Sequence, residues 1–306
     1  MATQTDVYTG APIANLGQSQ ATPRTRRTPF KPSILWLYAM AIFLALIFMF
    51  PFFWTVMSSL KSPQEINTFP PTFTPEIPQW GNYPRVLEMQ PFLRWFWNST
   101  FVVLMTTTGT ILTSSLVAYS FARFRYRGRE FIFIVTLGTM MIPAQVTLIP
   151  QFVLFHRLGW INTLYPLWVP FWFGGTAFAI FLIRQFIMTL PRELDEAALI
   201  DGASYWQIFW RILIPLCKPV IATIGVITFI ASWNDFVNPL IYLQLREKFT
   251  LAVGLNYFKS QPEMAGEPTE HLLMAASVMV IAPVIILFFT TQRYFVQGIA
   301  LSGIKG

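Results

Sequence analysis

EAALIDGASYWQIFWRILIPL, residues Glu196–Leu216, is a polar island in an oily chain. Apolar runs at 164–188 and 218–243 flank it, and each exceeds the ~20 residues that cross a bilayer as a helix. Pro191 precedes it, suited to a first helical turn. Glu193, Asp195 and Glu196 then fall near a helix N-terminus, where negative charge is favoured. Ala197, Ala198 and Leu199 continue that helix, and Gly202 is placed to end it. Ser204 and Gln207 have the spacing of a capping box and start a second helix. Tyr205, Ile208, Phe209 and Ile212 share one face of that helix, and Pro215 is its expected stop. The unit reads as a short helix, a glycine bend and an amphipathic helix. Such a knob either fits a groove on a partner protein or lies flat on lipid.

The rest of the chain says where the knob sits. Of 306 residues 54% are hydrophobic and 11% charged, against about 25% charged in a soluble domain. Further apolar runs at 35–57, 98–122, 131–155 and 272–296 bring the expected spans to six. The fold class expected is therefore all-α, a polytopic membrane protein with six transmembrane helices. Residues 1–32, rich in Thr, Gln, Pro and Ala, read as a disordered tail rather than a signal peptide. Residues 33–97 hold the first span and a proline-rich outer loop, expected to be extended and tied down. The core spans 98–296, with the knob at 190–215, and 297–306 is a closing segment.

The net charge of +7 is distributed as a membrane protein distributes it. Arg24, Arg26, Arg27 and Lys31, then Arg123, Arg125, Arg127 and Arg129, then Arg184, Arg192, Arg211 and Lys218, and finally Arg293 and Lys305 fall on one side. The intervening loops are poorer in cations and carry Glu65, Glu76, Glu88, Glu247, Glu263, Glu267 and Glu270. The positive-inside rule then puts both termini and the knob in the cytoplasm. The bilayer, not nucleic acid, explains the charge.

Several features concern packing. Thr110, Ser114, Ala118 and Ala122 recur every four residues, a face of small side chains for close helix approach. Trp36, Trp54, Trp95, Trp97, Trp160, Trp168 and Tyr294 lie near span ends, where amphipathic rings prefer the interface. Pro143, Pro150, Pro166, Pro170 and Pro283 are expected to bend their spans. Gly254 and Gly266 are possible bends in the second outer loop. Cys217, the single cysteine, is expected to pack at the start of the fifth span. Catalytic templates such as G-x-S-x-G, H-E-x-x-H and the Walker loop are missing, and His156 and His271 read as outer-loop surface residues. No enzyme site, cofactor or metal is expected. Asn234, Asp235 and Asn238 cluster toward the outer end of the fifth span. An ionisable residue at that depth either lines a pathway or gate, or caps and braces a helix.

Glu196-Ala197-Ala198, Gly202 and Ile212–Pro215 together resemble the cytoplasmic signature of ABC importer permeases. NSTFVVLMTT, AYSFARFRYRGR, MMIPAQVTLIPQFVLF, LGWINTLYPL, SWNDFVNPLIY and QRYFVQGIALSGIKG resemble the carbohydrate-uptake branch of that family, over roughly 35–306. The resemblance implies a type I importer permease in a bacterial or archaeal cell membrane. It implies a second, homologous permease subunit, two ATP-binding cassette subunits inside, an extracytoplasmic solute-binding protein and a sugar-like substrate. It makes the knob a coupling helix, with Glu196, Ala197, Ala198, Asp201, Gly202, Ser204, Phe209 and Pro215 as its residues, and inserts the closing segment between the ATPases. A membrane sensor or scaffold subunit would also account for a cytoplasmic knob on kinked spans.

Overall fold

The computed structural model describes residues 32–260 and 269–302, with side chains over 35–260 and 269–291. The expected disorder of 1–32 and the bend at Gly266 therefore lie essentially outside the described residues, as do Glu263, Glu267 and the last four positions. Every regular element among the described residues is helical. The chain divides into one unit ending at Pro51 and a second from Phe52 onward. The first carries most of helix α1 (Pro32–Ser59), whose side chains from Leu35 to Phe50 are all exposed. A helix apolar all round is suited to lipid rather than water.

In the second unit the central element is α3 (Phe92–Arg123). It packs along α7 (Ala177–Thr189) and α11 (Lys218–Trp233). The row Thr110, Ser114, Ala118 and Ala122 is wholly buried on it. Small side chains let backbones approach, and at Gly175, just before α7, the approach is so close that a Cβ would overlap Ser114 Oγ. Thr176 caps α7, accepting from the Ala179 N–H (3.2 Å), while its own N–H donates to Ser114 Oγ (3.2 Å).

Four described stretches are long and apolar enough to span a membrane, or up to six if each of two bent pairs counts as one. Two expected spans are therefore corrected. The third is broken: α4 (Arg129–Gly138) and α5 (Ala144–Arg157) meet at 98°. Pro143 lacks the N–H that would continue α4 and forces Ile142 extended (ψ 116°). The fifth ends at Trp233, and Asn234–Phe236 separate it from the short α12 (Val237–Tyr242). In the fourth, Pro166 and Pro170 open α6 (Tyr165–Trp168) and a following 3-10 turn rather than kinking a continuous helix. The last helix, α14 (Glu270–Ser302), contains Pro283 and continues without a break into the closing segment expected from 297.

The outer end is more structured than its sequence advertises. Helix α2 (Asn82–Met89) forms inside the proline-rich loop that was expected to be extended. Asn82 Nδ2 ties it down, donating to the carbonyls of Ser59 (2.9 Å) and Lys61 (3.0 Å). The second outer loop contains α13 (Leu251–Lys259), with Gly254 inside the helix rather than at a bend. Trp95 lies against that glycine, 1% exposed, and its Nε1 donates to Arg246 O (2.7 Å). It is core, not interface. Asn98 Nδ2 donates to Glu247 O and Phe249 O, and Asn162 Oδ1 accepts from the N–H groups of Gln244 and Leu245. His156 and His271 are helical rather than in loops, and His271 is buried, against expectation.

Candidate functional site

The knob begins with α8 (Glu193–Ile200). Its end is a Schellman closure: Gly202 at φ 80° donates to Leu199 O (3.0 Å) and Ala203 donates to Ala198 O (2.9 Å). Ser204 then caps α9 (Tyr205–Ile208) in a reciprocal capping box with Gln207. Local chemistry alone dictates these features, and they agree with the sequence expectation. Pro215 does not stop the second helix, which corrects the expectation. A π-helical turn at Phe209–Leu213 precedes α10 (Ile214–Leu216), which carries Pro215. Proline cannot donate to the carbonyl four residues back and its ring crowds it; the wider turn relieves both problems. The chain then turns by 75° at Cys217, buried as expected, into α11.

The knob is held from beneath. Ile208, Phe209 and Leu213 are at most 1% exposed and join Ile183, Ile187 and Tyr119 in one apolar cluster. Tyr119 also donates to Tyr205 O (3.3 Å). Arg123, the last residue of α3, reaches Asp195 Oδ2 (2.7 Å) and donates to Leu190 O (3.2 Å). Burial pushes the Asp195 carboxyl above its usual range, with the Arg123 charge opposing that push. Asp195→Asn leaves the Arg123 guanidinium buried without its counter-charge, so it should lower stability as well. Arg123→Ala should cost toward the lower end of the about 3–5 kcal/mol of a broken buried pair, read as a lowered thermal midpoint of the purified protein. Midpoints unchanged in both variants would contradict the ion pair's role.

Of the expected coupling residues, Glu196, Ala197, Asp201, Gly202, Ser204 and Pro215 are exposed, while Ala198 is half-buried and Phe209 is core. Phe209 therefore holds the knob from beneath. A groove of about 370 Å³ runs beside Asp201, Gly202, Gln207 and Arg211.

From Cys217, α11 leads to the second feature, a cavity of about 740 Å³. Thr228 and Ser232 line it, then Asp235 and Asn238. Asp235 accepts from the Asn238 N–H (3.3 Å) and from Asn238 Nδ2 (2.9 Å), so it both faces the cavity and caps α12. Asn234 is not among the lining residues; its amide donates back to Ile230 O (2.8 Å). Gln151 and Tyr242 also line the wall, and the sequence reading missed both. Only Gln151, polar within an apolar run, offered a signal. No group of three or more His, Cys, Asp or Glu that could hold a metal occurs among the described residues.

Comparison with known proteins agrees with this architecture. The family described as binding-protein-dependent transport system inner membrane component matches residues 110–301. The arabinooligosaccharides transport permease AraQ of Bacillus subtilis is 34% identical over 86% of this chain and 92% of its own. The lactose transport permease LacG of Rhizobium radiobacter is 33% identical over 85% of this chain and 93% of its own. The trehalose/maltose permease MalG of Thermococcus litoralis is 32% identical over 87% and 95%. Among solved structures, a bacterial ABC transporter involved in importing the acidic polysaccharide alginate is similar, at TM-score 0.78 and 28% identity, over 88% of this chain and 100% of that one.

Proposed function

The chain belongs to the family of binding-protein-dependent transport system inner membrane components, and from that premise we propose its solute class, its orientation and the residues that relay the driving force. It is a multi-pass permease subunit of an ABC importer, and ATP hydrolysis belongs to a separate subunit. The solute is a sugar or sugar-like molecule, supported by the carbohydrates named for its relatives. The partners are a second permease, two ATP-binding cassette subunits and an extracytoplasmic solute-binding protein. Both termini and the knob face the cytoplasm, supported by the arginine and lysine asymmetry.

One observation carries the coupling role. The exposed ridge Glu196–Ser204 is doubly capped, anchored through Phe209 and Arg123–Asp195, and continuous through Cys217 with the helix that lines the cavity. Nucleotide-driven closure of the ATPases would push a rigid ridge, and the ridge would turn α11. Asp235 and Asn238 then lie on the translocation pathway, with Asn234 bracing the helix end. The sensor or scaffold alternative has no comparable observation in its favour.

Single cysteines in a Cys217→Ala chain test this reading. Glu76→Cys is expected to react with an impermeant maleimide in intact cells, and Ala197→Cys to be protected. Ala197→Cys should instead form a disulfide, under mild oxidation, with a cysteine placed in the ATPase's docking cleft. Labelling of Ala197→Cys from outside, with no cross-link, would overturn both orientation and coupling.

A further inference from the structure

The cavity carries chemistry that coupling does not use. Its volume of about 740 Å³ falls within the ~300–1,000 Å³ of small-molecule sites. Polar groups converge on it from separate elements: Gln151 from α5, Thr228 and Ser232 from α11, then Asp235 and Asn238. Phe155, Phe171 and Phe178 supply aromatic surface between them. Among the described residues of the wall Asp235 is the one charged group, and neither Lys nor Arg joins it.

Tyr242 adds an independent observation. It belongs to the wall, is 1% exposed, and its hydroxyl has no hydrogen-bond partner. Buried polar groups are nearly always paired, so this phenol is a donor without an acceptor. Phe155 edge-on (5.3 Å) and Phe152 stacked (6.4 Å) hold the ring in place.

We infer, resting on the importer reading above, that this chain by itself supplies a solute subsite here, built for a neutral polyhydroxylated ring and closed to anionic ones. Hydroxyl-bearing rings present alternating donors and acceptors at their edges and C–H groups on their faces. The planar Asp235 carboxylate and Asn238 amide suit the edges, and the phenylalanines suit the faces. The bond between Asn238 Nδ2 and Asp235 fixes both groups and leaves the amide oxygen free to accept. A solute hydroxyl that reaches Tyr242 gives the phenol the acceptor it lacks. An anionic sugar would meet the Asp235 carboxylate in low-dielectric surroundings with no cation in the wall to offset it.

A reporter inside the cavity tests this without depending on which sugar the binding protein delivers. Ser232→Cys in a Cys217→Ala chain, assembled with its partner subunits, is alkylated by a small neutral maleimide. Glucose, maltose and lactose are neutral probes, and glucuronate is the anionic one. At least one neutral probe is expected to slow alkylation, and glucuronate is not. Adding Tyr242→Phe should raise the half-protecting concentration about two- to tenfold, the range of one neutral hydrogen bond, with the thermal midpoint held or raised. Adding Asp235→Asn, which keeps an oxygen to cap α12, should let glucuronate protect. A cysteine that never reacts, protection by no probe, or protection unmoved by both variants would overturn the subsite. Sugar uptake by the unmodified importer judges the underlying reading separately, so the two failures are distinguishable.

Discussion

Gly202→Pro is expected to leave the chain inserted in the membrane and abolish solute-stimulated ATP hydrolysis and uptake. The helix end depends on Gly202 at φ 80°, donating to Leu199 O. Proline is locked near φ −65° and has no N–H. It also drives the preceding residue toward extended backbone, away from the φ −73°, ψ 5° that Asp201 holds. Both bonds of the closure go, and the ridge loses its fixed angle to α9. Gly202→Ala is the informative comparison. Space is open around a Cβ at this position, so alanine costs only the left-handed backbone, about 1–2 kcal/mol, and should retain most of the uptake. The spans that direct insertion lie elsewhere, so protein yield should not separate the variants. Reconstituted importer reports both ATPase rate and uptake. Coupled transport by a well-folded Gly202→Pro variant would remove the ridge from the mechanism.

That angle and both of its caps were legible in the sequence, because each depends on residues within five positions of one another. Gly202 demands its own φ, and Ser204 and Gln207 satisfy each other. The spans were legible for a similar reason, since hydropathy is a local sum. What escaped depends on distant partners. Trp95 has the composition of an interface tryptophan, yet Gly254 and Arg246 O, more than 150 positions away, draw it into the core. Phe209 lay on a face read as partner-seeking, and Tyr119 and the apolar cluster claim it instead. Tyr242 carried no signal at all, because an unpaired hydroxyl is a property of its surroundings. The break after α4 was half legible. Pro143 announced a kink, but the 98° turn also uses the 3-10 turn at Thr139–Met141, which no single residue dictates.

Gly175→Ala should be strongly destabilising to the bundle core. Gly175 combines φ 68° with the closest approach of the α7 entry to α3. An added Cβ would overlap Ser114 Oγ and press on Thr110 O (3.0 Å) and Ser114 Cβ (3.1 Å). The Ser114 hydroxyl can rotate away, but it then abandons the Thr176 N–H it accepts from. The backbone carbonyl and the Cβ cannot rotate at all. Left-handed strain of about 1–2 kcal/mol therefore adds to overpacking of about 1–3 kcal/mol. Gly159→Ala separates the two contributions, because Gly159 has nearly the same φ, 69°, and open space around its Cβ. The difference between the thermal midpoints of the two variants, in the same detergent, measures the contact alone. Adding Ser114→Ala to Gly175→Ala should recover only part of the loss, since Thr110 O and Cβ of residue 114 remain. A Gly175→Ala protein no less stable than Gly159→Ala would mean that α3 and α7 are not packed backbone to backbone. The firm support that α3 and α7 give the knob from beneath would then have to come from elsewhere.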